Sequence, residues 1–99
     1  DRRSVMSLLN DSLDHKHALR QAGYMRIYCL AYLLPKVAEY TIRCTDNDVR
    51  KALLDVMGWH GMAYTSDVCL KVAHKMATDQ QLPQDVRDEA RRCELRITN

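Results

Sequence analysis

The side chains able to do chemistry in this chain are four histidines, His15, His17, His60 and His74, and four cysteines, Cys29, Cys44, Cys69 and Cys93. Neither set is spaced for a reaction. His15 and His17 stand two apart, so on a helix they point away from each other and cannot share an ion as an i, i+4 pair does. The cysteine spacings of 15, 25 and 24 residues match no zinc module and no C-x-x-C redox pair. There is no Gly-x-Ser-x-Gly turn to present a nucleophile. The residues therefore predict no catalytic group, no metal and no cofactor, and the chain is not expected to be an enzyme. Thiols placed among apolar residues on helical faces act as small hydrophobes, which implies a reducing, intracellular setting, cytoplasmic or nuclear.

Binding chemistry is better represented. Trp59, His60, Met62 and Tyr64 cluster in Gly58–Thr65, which is expected to be a loop between two amphipathic helices. Exposed aromatic loops are common material for a protein-binding hot spot. The plainer alternative is that Trp59 folds back to plug one end of a bundle. A second candidate is cationic. Lys71 and Lys75 form a one-turn ridge, and so do Arg87 and Arg91, and Arg92 and Arg96. If the last two helices pack side by side, Lys71, Lys75, Arg91 and Arg92 could converge on phosphates. Asp85, Asp88, Glu89 and Glu94 offset them locally, so an exposed helix with internal ion pairs is the competing account. Tyr24, Tyr28 and Tyr32, four apart, predict a tyrosine ridge, either half-buried or forming one wall of a groove for a partner's amphipathic helix.

Asp48 to Trp59 resembles the first helix and Met-Gly-aromatic loop of ubiquitin-associated domains, with Met57-Gly58-Trp59 as the matching tripeptide. The loop that follows is longer than in that family. The resemblance implies protein binding, and it is too short to assign the chain to the family.

The elements that must position these residues are all helical. Low Gly and Pro content, with abundant Leu, Ala, Arg and Asp, favours helices. A first helix is predicted over 4–22, with Gly23 as its stop. Tyr24–Leu34 is apolar nearly all round, interrupted only by Arg26, and is therefore expected to be the buried central helix. Pro35 opens a helix over 35–44. Val49, Ala52, Leu53, Val56 and Met57 mark an amphipathic helix over 48–57, ended by Gly58. Ser66 caps a helix over 67–78, and Pro83 opens the last, over 84–96. No segment alternates at period two.

The expected fold is a compact all-α bundle of five or six helices. The runner-up is a fragment of a HEAT-like solenoid of helical hairpins. At 99 residues the chain suits one domain, expected to be excised from a longer protein. The uncharged run Ile27–Pro35 is too short to span a bilayer. Net charge is +2, and the excess lies in residues 1–26, which carry five basic and three acidic side chains, while 27–99 balance at ten and ten. Any attraction to an acidic partner is thus expected to be strongest towards the N-terminal end. The functional expectation is a non-catalytic protein–protein interaction module of an intracellular regulatory protein, binding a helix or short peptide. Its alternative is a nucleic-acid-binding domain, RNA rather than DNA, using the Lys/Arg ridges. Neither a membrane nor a small-molecule substrate is expected.

Overall fold

A computed structural model describes residues 15–28, 31–61 and 66–98. They form five α-helices and no strand: α1 (His15–Tyr28), α2 (Leu34–Arg43), α3 (Asn47–His60), α4 (Ser66–Ala77) and α5 (Gln84–Thr98). A short 3-10 turn, Ala31–Leu33, leads into α2. Pro35 sits in the first turn of α2, where its missing N–H costs nothing. Asp46 caps α3, its carboxylate accepting from the N–H groups of Asp48 and Val49.

The centre of the bundle is α3. It buries Val49, Leu53, Leu54, Val56 and Met57, and the other four helices all pack on it. This is the arrangement of a closed bundle, since a solenoid would stack successive hairpins in a row. The core is completed by Leu34, Val37 and Ala38 from α2, Cys69, Val72, Ala73 and Met76 from α4, and Val86, Ala90 and Cys93 from α5. The buried Thr41 hydroxyl donates to the Val37 carbonyl at 2.7 Å, so the core's polar group is satisfied.

The helix expected at the centre lies elsewhere. Tyr24–Tyr28 is the last part of α1, and of these residues only Met25 is buried, while Tyr24, Ile27 and Tyr28 face solvent. Of the first helix expected over 4–22, residues 4–14 lie outside the described residues; Gly23 does not stop it but sits inside α1, and Gly58 does not end α3, which continues to His60. The contact surface of α1 consists of Ala18, Ala22 and Met25 with Leu19 at its edge, the two alanines allowing close approach to α3. Gly58 faces α5, where a Cβ would meet Arg96 Cδ at 3.3 Å and Cys93 Cα at 3.5 Å. Close packing there offsets the roughly 1 kcal/mol that glycine costs a helix.

Helices α1 and α3 run parallel. His15, at the start of α1, reaches Asp46 at the cap of α3, and Arg26, near its end, reaches Asp55. Helix α5 also runs parallel to α3, with Lys51 bonded to Asp85 and Asp55 to Arg96. Helices α4 and α5 form an antiparallel hairpin through 78–83. Among the described residues no helix is long and apolar enough to cross a membrane.

Candidate functional site

Trp59 belongs to the last turn of α3, and 49% of it is exposed. It neither plugs the bundle nor stands free. The Arg26 guanidinium of α1 lies 4.1 Å from its ring centroid, and that of Arg96 of α5 lies 4.8 Å away. One turn back, Asp55 ties the same two arginines, accepting from Arg26 Nε at 2.7 Å on one oxygen and from Arg96 Nη1 at 3.0 Å on the other. Helices α1 and α5 make no extended contact with each other. Asp55 and Trp59 therefore join them across α3, through two ion pairs and two cation–π contacts. His60 adds to the joint, with Nε2 donating to the Arg26 carbonyl at 2.7 Å. That carbonyl lies in the last turn of α1, so His60 ties the end of α1 to the end of α3. Met62 and Tyr64, the other two residues of the expected aromatic loop, lie outside the described residues. The Met57-Gly58-Trp59 tripeptide is helical and forms no loop.

Among the described residues, α1 carries the most exposed large apolar side chains of any helix. Tyr24, Ile27 and Tyr28 on α1 are 48%, 65% and 64% exposed, and Tyr32 on the 3-10 turn is 65% exposed. At helical spacing, Lys16, Arg20, Tyr24, Ile27 and Tyr28 share one side of α1, opposite Ala18, Ala22 and Met25. The expected tyrosine ridge thus exists in part, with Tyr24 and Tyr28 on one helix and Tyr32 beyond its end. Ile27 escaped sequence reasoning because an apolar residue in an apolar run carries no sign of facing water.

The cationic candidates separate. Lys71 and Lys75 line an open cleft of about 460 Å³ with Leu70, His74, Glu94 and Thr98. Glu94 places a carboxylate there, accepting from His74 Nδ1 at 3.1 Å. Arg92 is occupied by Glu89 at 2.6 Å, which holds its guanidinium even more firmly protonated. Arg91 is exposed on α5 and does not line the cleft. Phosphate would meet two lysines beside a carboxylate, a poorly matched receptor.

Among the described residues, one cluster could hold a cation. His15, Asp46 and Asp48 offer three ligand atoms within 4.8 Å of one another, His15 coming from α1 and not from a pairing with His17. The His15–Asp46 bond of 2.5 Å and the capping bonds of Asp46 already account for this geometry. The bond from His15 is the main reason the Asp46 carboxyl lies below the usual carboxylate range, with burial opposing and the Val49 N–H assisting. Cys44, Cys69 and Cys93 are buried. Burial pushes the Cys93 thiol up to about 12, so it is no nucleophile.

No family model matches the chain, and neither a curated protein nor a solved structure matches it significantly.

Proposed function

We propose that this chain is a non-catalytic protein–protein interaction module whose docking face is the outer side of α1, centred on Tyr24, Ile27 and Tyr28. The observation that carries this reading is the exposure of these three large side chains on one helical side, where each of the other described helices exposes a single large apolar residue, Ile42, Trp59, Val68 or Leu95. Clustered exposed apolar groups in a small bundle mark a contact surface. Tyrosine and tryptophan are also the residue types that give contact area at low entropic cost. Trp59 holds α1 in place through Arg26. Buried free thiols at Cys44 and Cys93 accord with a reducing, intracellular setting. Nucleic-acid binding through Lys71, Lys75, Arg91 and Arg92 has less support, because Glu94 and Glu89 stand among those cations.

The test is a photo-crosslinking amino acid in place of Tyr28, in the full chain inside cells. The expected outcome is a discrete crosslinked protein that is lost when Ile27→Asp is added, while circular dichroism stays unchanged. Crosslinks to nucleic acid alone, or protein crosslinks indifferent to Ile27→Asp, overturn the proposal.

A further inference from the structure

We infer that the partner on α1 is an acidic amphipathic helix of about three turns, its carboxylates set against Lys16 and Arg20 and its apolar side chains on Tyr24, Ile27 and Tyr28. This rests on the docking reading and names the partner's chemistry. The first observation is the charge of the segment. From His15 to Ala38 the chain has four basic residues, Lys16, Arg20, Arg26 and Lys36, and no acidic one. The second is what those cations touch. Arg26 is taken by Asp55, whereas Lys16, Arg20 and Lys36 are exposed and make no ion pair among the described residues. On α5, by contrast, Arg92 and Arg96 are both paired with carboxylates, and Arg91 is the one exposed arginine there without an ion pair among the described residues. Unpaired cations in line with an apolar stripe attract a carboxylate-bearing partner and fix its register.

The layout selects among anionic partners. Cations and apolar groups are separated along α1, Lys16 and Arg20 first, then Tyr24, Ile27 and Tyr28. A single strand of nucleic acid alternates phosphate and base, and would need them interleaved. Ile27 offers no π-face to a base, and Trp59 is already engaged by two guanidiniums. A helix lying on an anionic bilayer carries its cations along both flanks of the apolar stripe, whereas here they stand at one end of it. The distance from Lys16 to Tyr28 is about 18 Å at 1.5 Å per residue, which sets the length of the partner helix.

The probe is a synthetic helical peptide with leucines at i, i+3, i+4 and i+7 and glutamates at one end, titrated into the full chain at physiological salt. Its counterpart has lysine for each glutamate. A single-stranded RNA of similar length and phosphatidylserine vesicles complete the set. The acidic peptide should bind at least tenfold more tightly than the basic one. Lys16→Glu with Arg20→Glu should remove that preference, and Ile27→Asp should abolish binding, all with unchanged circular dichroism. Equal affinity for both peptides, indifference to the charge reversals, or no binding of the acidic peptide overturns the acidic partner and leaves the crosslinking result standing. Peptide binding indifferent to Ile27→Asp overturns the face itself, and the docking proposal with it. RNA or vesicles bound more tightly than the acidic peptide, and lost in the same variants, overturn the inference in favour of that ligand.

Discussion

Trp59 is held by two guanidiniums, and this decides what removing it does. Two cation–π contacts at a partly exposed site contribute about 0.5–1 kcal/mol each, and the ring's covered area adds to that. Trp59→Ala should therefore lower stability by about 1–3 kcal/mol in chemical denaturation. Lost binding in that variant would not locate a binding surface. Ile27, exposed and outside the core, is the better probe. Asp46 carries the acid sensitivity of the joint between α1 and α3. Its carboxyl is lowered, first by the bond from His15, so its contribution is fully present above the ordinary carboxylate pKa and is lost as pH falls through the lower folded value. Asp46→Asn keeps an N-cap acceptor but loses the charge. It should be less stable at neutral pH and should lose less of its stability between pH 5 and 2, read from urea midpoints across that range.

Among the elements, the two helical glycines make opposite predictions. A Cβ at Gly23 would meet nothing within 4 Å, so Gly23→Ala should stabilise the protein by about 0.5–1 kcal/mol through helix propensity alone. At Gly58 the added methyls of Gly58→Val press on the Cys93 backbone and the Arg96 stem, and a loss of about 1–3 kcal/mol is expected. Both would be read from thermal or urea unfolding. Helices α2 to α5 were legible to within a few residues, because amphipathic periods and Pro35 and Pro83 mark them in the chain. Two kinds of information were not local. A wholly apolar run has no polar residue to indicate its wet side, so Tyr24–Leu34 looked central when α3 holds that place. The buried side of α1 rests on Ala18, Ala22 and Met25, which hydrophobic patterning underweights. The Asp55–Trp59 joint was hidden for a related reason. Its partners Arg26 and Arg96 lie 29 and 41 residues from Asp55.

At the scale of the whole molecule, the core protects its thiols. Cys44, Cys69 and Cys93 are buried, so in a Cys29→Ser variant a thiol reagent at pH 8 should modify the native protein orders of magnitude more slowly than the urea-unfolded chain. Labelling as fast as in urea would show that the bundle opens readily. The core is also unevenly shared. Helices α2 to α5 interlock around a common centre, while α1 packs extensively on α3 alone, through two alanines, a methionine and polar ties at its two ends. Such an element can open as a cooperative unit of its own, leaving the rest of the fold closed. Amide protons of 18–28 should accordingly exchange faster than those of 50–60, by a sub-global route with a shallow denaturant slope. A ligand seated on the outer stripe would slow exchange in α1 far more than in α3, and would raise the free energy of that partial opening in step with the logarithm of its concentration above Kd.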